Sequence, residues 1–248
     1  MIKFGLKLWS SNKSLLKEAK SLIADGIFQY VELMVLPGDN TLVFEEAKLP
    51  YILHIPHDEF GFNIGEKSSW EKSHKILQDN IELADKISAK YLILHPGFGK
   101  IQNAKDFLKN INDERIIIEN MPVVGQRNEN MIGYNLEQIK KLLNEKFGFC
   151  LDFEHATKAA MNLKKDPKKF IEKFVTLKTK VFHICDGIFQ PGPDQHLNIG
   201  EGQYDFTFFL ECIKNNNSQL VTLETPKENY ESLKQDLENL EKIKQLML

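Results

Sequence analysis

The sequence has no disulfide framework. Its three cysteines, Cys150, Cys185 and Cys212, are few and widely spaced, which points to a reducing, cytoplasmic setting. Nothing in it approaches the roughly 20 consecutive apolar residues of a membrane span. The apolar run in MIKFGLKLWSSNK is too short for a signal peptide. No low-complexity segment or linker divides the 248 residues, so a single domain, 1–248, is expected. A strong charge of either sign is also missing. With 32 basic against 35 acidic residues the net charge is −3, and no strongly basic face is implied. No GxGxxG follows the first apolar stretch, which removes the main support for a doubly wound dinucleotide-binding sheet.

What is present is a regular alternation. Apolar strand-like runs occur at Ile2–Trp9, Tyr30–Val35, Tyr51–Ile55, Tyr91–His95, Arg115–Glu119, Gly148–Asp152, Lys180–Cys185 and Leu220–Glu224. Helical patterns separate them, among them Ser68–Ser88, Asn135–Lys146, Thr157–Met161 and Asp205–Asn215, with a terminal helix at Asn229–Leu248. Near-continuous apolar strands alternating with helices predict a parallel sheet buried on both faces. Eight such units in about 250 residues predict an α/β fold closed as a (β/α)8 TIM barrel.

In such a barrel the chemistry lies at the carboxyl ends of the strands. The end residues here are unusual. His57 follows the third strand, His95 the fourth and Glu119 the fifth. Asp152 ends the sixth, with His155 three residues on. His183 lies in the seventh, Asp194 and His196 in the loop after it, and Glu224 ends the eighth. A carboxylate ending an apolar strand is costly unless paired or bound to a cation. Each residue taken singly has a plain structural explanation; nine at one mouth do not. One zinc takes about four donors, so nine predict two or three ions, with zinc or manganese suiting mixed nitrogen and oxygen ligands. Closely spaced ions of this kind serve phosphodiester hydrolysis. His54, inside the third strand, is expected to pack in the barrel. His74 is expected on a solvated helix face, Asp186 as an orienting partner of a ligand histidine, and Cys185 as a small buried residue.

The stretches PHDEFGFNIG, LHPG, IENMP, CLDFEHA, FHICD, DQHLNIGEG and LETP resemble those of endonuclease IV, the apurinic/apyrimidinic endonuclease family of the xylose-isomerase-like TIM barrels. The resemblance implies three zinc ions. His57, His95 and Glu119 would hold the first. Glu119 would bridge to a second held by Asp152, His183 and Glu224, and His155, Asp194 and His196 would hold the third. It implies cleavage 5′ to an abasic site in DNA, with Glu119 and Glu224 at the catalytic centre and Phe60, Asn63 and Gln195 at the substrate. A monomer without membrane or protein partners is expected. The family's tyrosine–leucine wedge is here Phe60-Gly61, its arginine-bearing loop is the short Val35–Glu45 without Lys or Arg, and Gln195 stands where arginine is usual. Weak duplex binding is therefore expected, improved by Gly61→Leu. The competing reading is a single-metal sugar isomerase or epimerase of the same superfamily, which needs only Glu119, Asp152, His183 and Glu224.

Overall fold

A computed structural model describes residues 1–227 and 230–247. Eight parallel strands close in sequence order into a barrel: β1 Lys3–Trp9, β2 Tyr30–Met34, β3 Tyr51–His54, β4 Leu92–Leu94, β5 Ile116–Glu119, β6 Gly148–Asp152, β7 Thr179–Ile184 and β8 Leu220–Leu223. The helices are α1 Leu16–Ala24, α2 Leu42–Ala47, α3 Trp70–Ile87, α4 Ile101–Lys109, α5 Leu136–Leu143, α6 Phe153–Asn162, α7 Pro167–Val175, α8 Phe206–Lys214 and α9 Lys234–Gln245. The (β/α)8 expectation holds. The expected terminal helix is shorter, and its expected limits Asn229 and Leu248 lie outside the described residues. Helix α6 begins four residues earlier than its apolar pattern predicts. The Asp152 carboxylate accepts the His155 N–H at 2.6 Å and so caps the helix at once. Among the described residues, no helix is long and apolar enough to cross a membrane.

The core has two parts. The larger lies between strands and helices, around Leu53, Leu94, Ile118, Phe149, Phe182 and Phe209. The smaller fills the barrel: Tyr30, Ile52, Ile93, Ile117, Cys150, Val181 and Leu220. Alternate residues of a strand share a face. Two residues beyond each of these stand Glu32, His54, His95, Glu119, Asp152, His183 and Thr222, and Lys7 stands two beyond Gly5. The barrel interior is thus an apolar plug with a layer of polar residues on top. Each buried isoleucine of the plug contributes about 1.5–3 kcal/mol, and the polar layer forgoes that contribution. Gly5 is part of the arrangement, since a Cβ there would lie 2.2 Å from the Tyr30 ring. The admitted Tyr30 hydroxyl lies 3.0 Å from Thr222 Oγ1, which donates to Glu32 at 2.6 Å.

Candidate metal centre

The polar layer and the loops above it surround a cavity of about 520 Å³, lined among others by His54, His57, His95, His155, Asp194, His196 and Glu224. Glu119, Asp152 and His183 are fully buried, Glu119 3.1 Å from the lining residue His95 and His183 3.1 Å from Glu224. Groups of donor atoms that lie within 4.8 Å of one another include Glu119–Asp152–His183–Glu224, His155–Asp194–His196 and His54–His95–Glu119. The first two are the sets the resemblance implies for the second and third ions. The third group differs in one member. His54 packs inside the barrel as expected, above Ile52, yet its Nε2 also lies 3.5 Å from Glu119. His57 stands outside it, its ring centroid 5.9 Å from that of His95.

The histidines are held with one nitrogen committed. His183 Nε2 lies 2.9 Å from Glu32 Oε2, His155 Nδ1 2.9 Å from the Asn120 carbonyl, His196 Nδ1 3.0 Å from the Glu224 carbonyl and His54 Nδ1 3.0 Å from the Ile55 carbonyl. These partners only accept, so each committed nitrogen carries the proton. The other nitrogen is the one that can present a lone pair to an ion, once any second proton on it has been displaced. That of His183 faces Glu224 at 3.1 Å and Glu119 at 3.4 Å, and that of His196 faces Asp194 at 2.8 Å. At these distances a positive charge lies between nitrogen and carboxylate: a second proton on the ring, or a divalent ion that displaces it. Both Glu119 oxygens, Asp152 Oδ2, His95 Nε2 and His183 Nδ1 are buried without a hydrogen-bond partner. The donor set fits divalent ions, with outer partners that fix the ring orientations.

Charge leads to the same place. Glu32, Glu119, Asp152, Asp194 and Glu224 crowd the site, and Lys7 is bound between Glu32 at 2.6 Å and Glu224. Burial works against the charged form of each. It pushes Asp152 up to about 7, with Glu119 and Glu224 adding to the rise. Burial lowers His155 and His183, but the carboxylates around them, with the buried Cys150 beside His183, carry both well above the usual histidine range. Burial likewise opposes His196, which the Asp194 carboxylate lifts to about 10. On the opposite side burial, then His95 and His54, bring His57 down to about 3, and burial with Lys7 brings His54 to about 4. Those imidazoles are neutral, as ligands must be.

The residues expected at the substrate have partners of their own. Phe60 is half-buried and packs edge-on against His57 at 5.0 Å and Trp9 at 5.9 Å, so it braces a ligand rather than projecting. Asn63 is buried, and its Oδ1 accepts the N–H groups of Gly65 and Phe98. The Gln195 side chain turns inward, accepting from Lys158 at 2.8 Å and the Ile188 N–H at 3.1 Å. Asp186 orients no histidine. It accepts the N–H groups of Gly187, Gly200, Gly202 and Tyr204 and so fixes the loop after β7. His74 lies on the exposed face as expected, with its ring stacked on Phe107 at 4.1 Å. Lys7, Glu32 and Asn120 went unread in the sequence. Asn120 clips β5 to β6 through the Asp152 N–H and carbonyl, both at 2.9 Å.

The backbone at Gly61 adds a cost to the expected wedge substitution. Its φ of +94° is left-handed, and a Cβ there would lie 2.2 Å from Lys72 Nζ. Gly61→Leu therefore costs about 1–2 kcal/mol of backbone strain, and the Lys72 side chain must move aside. A urea melt checks this: the midpoint falls, and an unchanged midpoint refutes it.

The model of the xylose isomerase-like TIM barrel family matches residues 43–246. A probable endonuclease 4 of Thermoplasma acidophilum is 30% identical over 150 residues, which is 55% of this chain and 53% of that protein. The chain spans little more than half the length of such relatives. Among solved structures, endonuclease IV from Thermus thermophilus superposes with a TM-score of 0.74 at 20% identity, covering 99% of this chain and 98% of that one. A D-tagatose 3-epimerase-like protein gives 0.73 at 21% identity, covering 100% of both chains. At those identities the two structures speak for the fold alone. The family match spans most of the chain, and the chain belongs to the xylose isomerase-like TIM barrel family.

Proposed function

We propose that this chain is a metal-dependent phosphodiester hydrolase of the endonuclease IV kind, cleaving DNA 5′ to abasic sites. The observation that carries the reading is the His155–Asp194–His196 group. It stands apart from the four residues that a single-ion isomerase needs, and a sugar isomerase has no use for it. In this reading Glu119, His95 and His57, with His54 behind, hold one zinc. Glu119, Asp152, His183 and Glu224 hold the next, and His155, Asp194 and His196 the third. Divalent ions there supply Lewis-acid activation of water and of a phosphoryl oxygen.

The chain's own residues orient and shield. Glu32 fixes the His183 ring, and Lys7 offsets the negative charge of Glu32 and Glu224. Met34, Met121, Pro122 and Met131 give the cavity apolar walls that restrict water. Arg127 spans Asp58 at 2.6 Å and Glu129 at 2.5 Å, and Gln126 donates to the Asp194 carbonyl at 3.0 Å. These contacts tie the loop after β5 to those after β3 and β7.

One feature favours the isomerase reading. The two lysines lining the cavity are both committed, Lys7 to Glu32 and Glu224 and Lys227 to Asp236. The lining thus offers a polyanion little attraction. The test is cleavage of a duplex bearing one abasic site, with and without chelator, beside metal content. Two to three ions per chain and chelator-sensitive nicking, with weak binding of shallow salt dependence, are expected. One ion at full occupancy and no nicking would establish the isomerase reading.

A further inference from the structure

Behind the third ligand group, α6 carries a stripe of side chains that supplies it no donor. Glu154, Cys185 and a His196 nitrogen approach within 4.8 Å of one another, the spacing of a ligand set. Yet Glu154 is already committed. Its Oε1 accepts the Gln195 N–H at 2.7 Å, and its Oε2 accepts the His196 N–H at 2.9 Å and the Cys185 thiol at 2.9 Å. One turn along the helix, the buried Lys158 donates to the Ile188 carbonyl at 3.2 Å and to Gln195 Oε1 at 2.8 Å. One turn further, Asn162 donates to the Gly192 carbonyl at 3.1 Å. Residues four apart lie one above another on a helix, so a single face of α6 grips the loop from 188 to 196 at successive points.

The loop needs that grip because of His196. Its φ is +52°, in the left-handed region that residues other than glycine seldom occupy unless the surroundings impose it. Its ring faces Asp194, with Nε2 2.8 Å from Oδ2. The Glu154 carboxylate holds the N–H on the strained residue itself and the one before it.

We propose that Glu154 is a positioning residue for the third ion, with Lys158 and Asn162 as its supports, so that this ion's site is built by α6 and loads separately from the two in the barrel mouth. The inference rests on the three-ion reading. Glu154→Gln replaces one acceptor oxygen by an NH2 group. With donors already against both oxygens, a donor–donor clash follows in either orientation, and the loop at 195–196 is released.

The experiment loads wild type and Glu154→Gln with zinc, measures zinc per chain after gel filtration, and follows absorption of the cobalt-substituted proteins. The variant should lose one ion, its affinity for that ion falling about 10- to 100-fold. One cobalt component should vanish, the same one that Asp194→Ala removes, with the other ions and the circular dichroism retained. Lys158→Met and Asn162→Ala should weaken the same ion to a lesser degree, and they carry the test should Glu154→Gln not fold. Wild-type retention of all three ions in these variants, or parallel loss from all three groups, overturns the proposal. A wild-type chain that holds one ion overturns the three-ion reading and this inference with it, an outcome visible before any variant is made.

Discussion

Glu119→Gln lowers turnover on the order of 10³-fold or more, the scale on which removal of a preorganised charge at a reacting centre acts. Glu119 sits at the meeting point of the layer. Oε2 lies 3.1 Å from His95 and 3.5 Å from His54, and Oε1 lies 3.1 Å from His155 and 3.4 Å from His183. Four imidazoles from four strands or their loops thus converge on one fully buried carboxylate. Glutamine keeps the shape but loses the charge, and its NH2 group cannot ligate. In the proposed arrangement the change would remove a ligand shared by two ions together with part of the charge that would hold each. Burial opposes ionisation of Glu119, but His95 and His183 hold it well below the usual carboxylate range, so the charge lost is one the site keeps at every working pH. The measurements are single-turnover cleavage of the abasic duplex and zinc per chain. Near-normal turnover with full metal content would show that Glu119 does not bridge.

The sequence made the barrel and most of the candidate ligands legible for one reason. Strand ends in a (β/α)8 fold converge, so a His, Asp or Glu closing an apolar run can be placed without knowing any distance. Glu119, Asp152 and Glu224 announce themselves in that way. Lys7 and Glu32 lie inside their strands, and a charged residue within GLKLW or YVELM reads as an outward-facing one. Only the barrel register shows otherwise, pairing Lys7 with Glu32 and Gly5 with Tyr30. The two-residue offset from the apolar plug offers a signal that was available: seven of the eight strands place a polar residue two positions after a plug residue, and the eighth does so after Gly5. His54 illustrates the limit. Its interior position is readable by alternation from Ile52, but its approach to Glu119 depends on side-chain torsions that no pattern encodes. The side-chain directions of the expected substrate contacts were not legible for a related reason. Phe60, Asn63 and Gln195 lie in loops whose side chains are claimed by local donors and rings, and sequence order does not show which way a loop residue turns.

Lys7→Met is expected to destabilise the fold by about 3–5 kcal/mol, the cost of breaking a buried ion pair by removing one partner. For a chain of this size that amounts to about 10 °C in melting temperature. The Lys7 ammonium is buried between Glu32 at 2.6 Å and Glu224. Burial alone lowers its pKa, but Glu224 and then Glu32 reverse the sign and hold it above the ordinary lysine value. Burial also opposes the charge of Glu32, which His183 and Lys7 bring down to about 2. Without Lys7 both carboxylates lose a counter-charge, and Glu32 loses it where it is fully buried. Glu32 then holds only His183 and Thr222. Lys7→Met/Glu32→Gln should recover part of the loss, since the glutamine carbonyl still accepts from Thr222 while the unbalanced charge is gone. The deficit should be largest in chelator and narrow with added zinc, because bound cations and the Lys7 ammonium offset the same carboxylates and a ligand of the native state adds stability by mass action. Thermal melts of both variants with chelator and with zinc measure this. A single variant melting within about 2 °C of wild type in chelator, well under the expected shift, would show that Lys7 is no counter-ion of the centre. A deficit unchanged by zinc would separate its structural role from the metal site.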